Sequence, residues 1–188
     1  MPQGSADGMN GETSATSLST SRLRLRPFGD GDLDRLHELY GDARVMAIRK
    51  IGTQDRDGTE AQLQQILDHW RRHGAGLWAL FSRDDDRFLG ECGLRLRNDG
   101  TGELAYGLIP DAWGRGLATE ASVAVLDYAF ERLRLPRVAA VARADNAASH
   151  KVMRKLGMQH VATRPRASDG GVVEFAIEAA DWRSSRRR

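Results

Sequence analysis

One α+β domain built on a single sheet is what this 188-residue sequence predicts. Three observations carry that reading. Apolar residues recur at helical spacing in the first third of the chain. From about residue 77 to residue 109 the pattern changes to short strand-like runs cut by turn residues. Beyond that point helical and strand patterns alternate in the order β-α-β-α-β-β. A hairpin meander followed by crossovers fits one mixed α/β layer structure.

The elements follow in order. Leu23 and Leu25 alternate with Arg22, Arg24 and Arg26, the pattern of a half-buried edge strand ending near Pro27. Asp30 or Asp32 can cap a helix that carries Leu33, Leu36, Leu39 and Tyr40 on one face. Residues 50–58 are polar and read as a loop. A second helix starts at Thr59 or Glu60, sets Leu63, Ile66, Leu67 and Trp70 at helical spacing, and stops at Gly74 and Gly76. Residues 77–81 and 88–96 form a hairpin around Arg83-Asp84-Asp85-Asp86, and Asn98-Asp99-Gly100 turns the chain into a third strand at 103–109. Residues 116–134 form a helix with Val123, Leu126, Phe130 and Leu133 inward. Residues 138–142 are a strand, and 146–156 a helix closed by Gly157. Short strands near 160–163 and 172–177 complete the chain.

Composition narrows the function. Apolar residues make up 40% and charged residues 29%, as in an ordinary globular protein. No run approaches the length of a membrane span, and residues 1–20 lack the basic and apolar regions of a secretory signal. They read as a disordered leader, with a domain at 21–182 and a basic tail at 183–188. The 28 basic groups nearly balance 26 acidic ones, so the net charge of +2 gives no reason to expect a nucleic-acid partner. The single cysteine, Cys92, excludes an intramolecular disulfide and a cysteine-based zinc cluster. Its setting in Gly-Glu-Cys-Gly-Leu reads as a strand interior and an inert buried thiol.

The most informative stretch is Trp113-Gly114-Arg115-Gly116-Leu117-Ala118-Thr119-Glu120-Ala121. It reads as strand, glycine-rich turn, helix N-terminus. Such a junction aims free N–H groups and the positive end of a helix dipole at one point, which suits an anion. No Gly-Lys-Ser/Thr follows, so a nucleotide-triphosphate loop is excluded. A dinucleotide fingerprint fails because Thr119 stands where its third glycine belongs.

Taken with three further stretches, this segment resembles the GCN5-related N-acetyltransferase (GNAT) family, and most closely its RimJ/RimL branch. The others are Ser21-Arg22-Leu23-Arg24-Leu25-Arg26-Pro27, Phe88-Leu89-Gly90-Glu91-Cys92-Gly93-Leu94, and Asp145-Asn146-Ala147-Ala148-Ser149-His150 running to Lys155-Leu156-Gly157-Met158. The resemblance covers roughly residues 20–182. It implies a mostly antiparallel central sheet, flanked by about four helices and splayed at a cofactor cleft. It also implies acetyl-CoA as donor substrate, with its pyrophosphate on the amides of Trp113, Gly114, Arg115, Gly116, Leu117, Ala118 and Thr119. The family's Gly-x-Gly/Ala ending falls on Gly116 and Ala118, whereas the leading Gln/Arg position holds Trp113. Backbone groups from Tyr106 to Ile109, Leu108 among them, would meet the pantetheine arm, and so would Asn146.

Acetyl transfer to an amine needs a neutral nucleophile, a stabilised oxyanion and a leaving thiolate. Many relatives place a proton-donating Tyr seven residues after the pantetheine Asn, but here that position is Met153. Ser149 is the alternative donor, one helical turn from Asn146, and solvent is another. Glu103 is the favoured base, followed by Tyr106 and Glu91. Glu120 suits the first turn of its helix. His150 reads as a packing residue.

The resemblance implies a primary amine as acceptor, either a protein N-terminus or a small molecule. Residues 44–57 and 164–171 would frame it. Arg49 and Lys50 would draw an acidic acceptor or form a solvated face, while Met46, Trp70 and Trp78 would line the site or belong to the core. The histidines form no metal cluster, and no metal is expected. The remaining expectations are a cytoplasmic location, no membrane partner and a homodimer left open. The alternative function is an acyl-CoA sensor without turnover.

Overall fold

The structure, a computed structural model, describes residues 16–49, 51–165 and 170–187. Residues 1–15 of the expected leader, Lys50, four residues of the final loop and Arg188 lie outside the described residues. One sheet of eight strands organises the chain, in spatial order β1-β2-β3-β4-β5-β6-β8-β7. The strands are β1 (Leu18–Ser19), β2 (Leu23–Pro27), β3 (Leu77–Ser82), β4 (Phe88–Leu96), β5 (Gly102–Leu108), β6 (Arg137–Arg143), β7 (Gln159–Arg164) and β8 (Val172–Glu178). Every neighbouring pair is antiparallel except β5 and β6. Six helices are described: α1 (Leu33–Tyr40), α2 (Ala43–Met46), α3 (Arg56–His73), α4 (Leu117–Asp127), α5 (Ala147–Lys155) and α6 (Ala179–Arg186).

The alternation in β2 places Leu23 and Leu25 in the core. Yet β2 is not the edge. Leu18 pairs with Leu25 and Ser19 with Arg24, so the end of the expected leader supplies one more strand. Its Ser/Thr-rich composition hides that strand, because only Leu18 has an apolar surface to pack. At the other end, the expected basic tail continues α6, where Trp182 buries its ring beside Phe130 and donates its indole N–H to Asp127 at 2.9 Å. Arg183 and Arg186 pair with Glu131 and Asp127.

α3 begins at Arg56, earlier than expected, because Asp55 caps it by accepting from the Gly58 N–H at 2.8 Å. Gly74 ends it in the left-handed conformation, at φ 64°. Leu63, Ile66, Leu67 and Trp70 are buried as their spacing requires. Trp70 and Trp78 meet edge to face at 4.9 Å and, with Met46, belong to the core rather than to an open site. In α4 the buried stripe runs through Ala121, Ser122, Val125 and Leu126, while Val123 is only half-buried. The helix then opens into a wide π-type turn at Tyr128–Arg132, which buries Phe130 and leaves Leu133 half-exposed.

Two adjacent residues of β4 divide the helices between the faces of the sheet. Glu91 accepts from the Tyr40 hydroxyl of α1, and the Cys92 thiol lies 3.7 Å from Ser122 Oγ of α4. Successive strand residues point to opposite faces. So α1, with α3 packed on it, covers one face, and α4, with α5 against it, covers the other.

Candidate active site

Between β5 and β6 the sheet comes apart. Only Gly102 with Val138 and Glu103 with Ala139 are paired, after which both strands run on without a ladder between them. β5 continues to Leu108 on the side of β4, and β6 to Arg143 on the side of β8. The result is a wedge with its closed end at Gly102–Glu103. Ile109 donates its N–H to Leu89 at 3.0 Å, so alternation turns the N–H groups of Leu108 and Tyr106 toward the wedge. Three of the backbone groups expected to meet a pantetheine arm have other partners: the Ile109 N–H, the Leu108 carbonyl, which accepts from the Trp113 indole at 2.8 Å, and the Tyr106 carbonyl, which accepts from Arg49 Nη2 at 3.4 Å.

The glycine-rich turn sits at the end of β5. Gly114 and Gly116 both adopt positive φ, 71° and 77°, and nothing lies within 4 Å of a Cβ built on Gly114. Gly116 caps α4 without a side-chain hydrogen bond, which leaves the first amides of the helix turned outward. Residues Trp113 to Gly116 are exposed, Leu117 is buried, and Ala118 and Thr119 are half-buried. This is an open cradle of N–H groups.

Across the wedge, Tyr106 of β5 meets Ser149 of α5. The two hydroxyl oxygens are 2.7 Å apart, and Tyr106 also donates to the Ser149 carbonyl at 3.2 Å. Burial pushes the Tyr106 hydroxyl up to about 12, so it keeps its proton at neutral pH. Asn146 caps α5, its side-chain oxygen accepting from the Ser149 N–H at 3.0 Å. That oxygen is committed locally, and the NH₂ group is the part left for a ligand. Met153, in place of the relatives' Tyr, is fully buried.

Glu103 does not join this cluster. It lies at the closed end of the wedge, three residues or about 10 Å along the strand from Tyr106, and its carboxylate pairs with Arg97. Alternation also puts it on the face opposite Tyr106. The structure thus separates the expected base from the residues it was to serve. Cys92 is buried, and desolvation pushes its thiol up to about 12, which makes it inert. His150 is buried against Phe175, with Nε2 3.1 Å from the Arg143 carbonyl, a packing role.

Glu91, the lower-ranked candidate base, is locked in the core instead. Its side chain is 1% exposed, accepts from the Tyr40 hydroxyl at 3.1 Å, and pairs with Arg49 Nη1 at 2.8 Å. The Arg49 guanidinium lies over β5. A Cβ added to Gly107 would stand 1.8 Å from its Nη2, so a larger residue there would displace the guanidinium. No local signal announces this cluster, whose members lie 42 and 51 residues from Glu91.

A second missed group lies beneath the glycine-rich turn. Glu120, expected to serve its helix dipole, instead receives the Thr20 and Ser21 hydroxyls, the Arg22 N–H at 2.9 Å and Arg22 Nε at 2.6 Å. Burial works against its charge, but these bonds still hold the carboxyl below its usual value.

A sheet splayed between β5 and β6, with the outward amides of a helix N-terminus at its open end, forms a cleft suited to an extended ligand that carries an anionic group. Comparison with known proteins supplies the family. Residues 22–159 match the acetyltransferase (GNAT) domain model. The chain is 31% identical over 147 residues to an N-acetyltransferase, p20, of Bacillus licheniformis, covering 76% of this chain and 82% of the relative. It is 28% identical over 185 residues to an FsC-acetyl coenzyme A-N(2)-transacetylase of Aspergillus fumigatus, covering 88% and 77%. In fold it is similar to RimL, a ribosomal L7/L12 alpha-N-protein acetyltransferase solved with coenzyme A, with a TM-score of 0.78 at 18% identity over 87% and 98% of the two chains. The chain belongs to the GNAT acetyltransferase family, and thereby to the acetyltransferase enzymes.

Proposed function

We propose that this protein transfers the acetyl group of acetyl-CoA to a primary amine, by direct attack in a ternary complex. The observation that carries the reading is the β5–β6 wedge, which opens between the Trp113–Thr119 cradle and the Tyr106–Ser149 pair. The pyrophosphate binds the cradle, and the pantetheine arm lies in the wedge as a substitute strand, held by β5 and the Asn146 amide. The acetyl carbonyl faces the free N–H groups of β5, which stabilise the oxyanion as it forms.

The neutral amine attacks the thioester carbon. The C–N bond forms, the C–S bond breaks, and the ammonium proton passes to water. Ser149 protonates the departing thiolate and recovers its proton from solvent. Tyr106 orients the Ser149 hydroxyl and stays protonated. With Glu103 held by Arg97, no carboxylate is assigned as base. An acceptor presented as a free α-amine suits that arrangement, since its pKa near 8 leaves a substantial neutral fraction at neutral pH. The RimJ/RimL likeness favours a protein N-terminus, and a small amine is the other candidate; both present a primary amine to the same cleft.

Release of CoA thiol across a panel of peptides and small amines tests the reading. Amine-dependent release with intersecting initial-rate lines is expected. Tight CoA binding with no release above background across the panel would replace it with a non-catalytic acyl-CoA sensor.

A further inference from the structure

Resting on the reading of the glycine-rich turn as the pyrophosphate cradle, we propose that Arg22 and Glu120 are positioning residues that set the peptide plane of that cradle for acetyl-CoA. A closed ring of hydrogen bonds joins these residues to the turn. The Glu120 N–H donates to the Gly116 carbonyl at 3.1 Å, the first helical bond across this junction. The Glu120 carboxylate holds Arg22 through Nε at 2.6 Å and through the Arg22 N–H at 2.9 Å. Arg22 Nη1 then donates to the Arg115 carbonyl at 3.0 Å, which returns to the residue before Gly116.

The last bond decides the orientation of the turn. In a planar trans peptide the carbonyl of one residue and the N–H of the next point in opposite directions. Arg22 holds the Arg115 carbonyl, so the Gly116 N–H points away from Arg22, toward the open side of the turn. With Gly114 and Gly116 both at positive φ, the backbone there has little steric preference of its own. An outside clamp is what keeps one orientation. The clamp is itself anchored: Thr20 and Ser21 also donate to Glu120, and Arg83 donates to the Thr20 carbonyl at 2.8 Å. The segment from β1 to β2 thereby straps the first turn of α4.

Calorimetric binding of CoA by the full chain tests this with five variants. Arg22→Met and Glu120→Gln should each weaken CoA binding about tenfold, on the scale of one charge-assisted hydrogen bond. The double variant should be no weaker than the worse single. Arg22→Lys keeps the charge beside Glu120 and the strap, but one ammonium cannot hold both Glu120 and the Arg115 carbonyl. It should melt like the wild type and still bind CoA several-fold more weakly. Wild-type CoA affinity in Arg22→Lys and Arg22→Met would overturn the proposal. Gly116→Glu distinguishes the failures: if it too leaves CoA affinity unchanged, the cradle reading is wrong, whereas loss in Gly116→Glu alone leaves the cradle and removes only the clamp.

Discussion

Replacing Arg49 with Met removes the basic side chain paired with the buried Glu91 carboxylate. Glu91 is 1% exposed and its Arg49 partner 18% exposed, so solvent screens the pair little. The Tyr40 hydroxyl remains, at 3.1 Å from both carboxylate oxygens, but a neutral donor does not balance a charge. Breaking a buried pair from one side costs about 3–5 kcal/mol. At the lower figure, and with a urea dependence of about 2 kcal/mol per molar, the midpoint should fall by about 1.5 M. The melting temperature should fall by roughly 6–12 °C, the scale for a chain of this length. The assay is urea unfolding followed by tryptophan fluorescence, which Trp70 and Trp78 report from the core. The double variant Arg49→Met/Glu91→Leu, which also deletes the charge, should lie closer to the wild type than Arg49→Met alone. A loss below about 1 kcal/mol in the single variant, typical of an exposed pair, would refute the reasoning. So would a double variant as unstable as the sum of its parts.

Three further outcomes are expected. Ser149→Ala should lower kcat about a hundredfold with little change in the KM for acetyl-CoA, and Tyr106→Phe about tenfold, measured by thiol release at saturating donor; equal kcat in both variants would remove the hydroxyl pair from the chemistry. Cys92, with its thiol pushed up to about 12 by burial, should resist a disulfide reagent at pH 8 in the native protein and react once in guanidinium; rapid native reaction would show an open core at β4. Asp32 is 3% exposed; burial opposes its charge, but bonds from Arg26 and the Gly29 N–H and the nearby Arg35 hold its carboxyl below the usual range. A depressed folded pKa contributes stability that is full above the unfolded value near 4 and is lost as pH falls through the folded one. Asp32→Asn should therefore be less stable than wild type at pH 6, with the gap narrowing toward pH 3, as read from urea midpoints; a gap constant with pH would refute it.

Much of the fold could be read from local pattern. The helical spacing of Leu63, Ile66, Leu67 and Trp70, the alternation of Leu23 and Leu25, and the glycines at 74, 116 and 157 each act over a few residues. What escaped reading depends on distant partners. β1 exists because Leu18 finds Leu25 across a turn whose residues are otherwise polar. The last turn of α6 looked like a basic tail because its arginines and serines carry no apolar pattern, and only Trp182, one residue before it, ties the helix down. The site divides in the same way. The turn and the Asn146 cap are local geometry, and so were visible. Glu103 was chosen for its residue type and its strand, and neither reveals that Arg97 holds it or that the wedge closes there. Glu91, Arg49 and Tyr40 come from three separate elements, and only folding brings them together.

The parity of β4 and β5 has a consequence for how such a chain can vary. Glu91 lies opposite Gly107, and Cys92 opposite Tyr106. From Glu91 onward in β4, and along β5, odd-numbered residues face α1 and even-numbered residues face α4. Substitutions at odd positions reach Arg49 and Tyr40, whereas those at even positions reach Ser122 and Ser149. The two sides of one strand pair can therefore drift separately. A lineage could refashion the odd side, with its loop of exposed Ile48 and Ile51, while the even side and its wedge stay fixed.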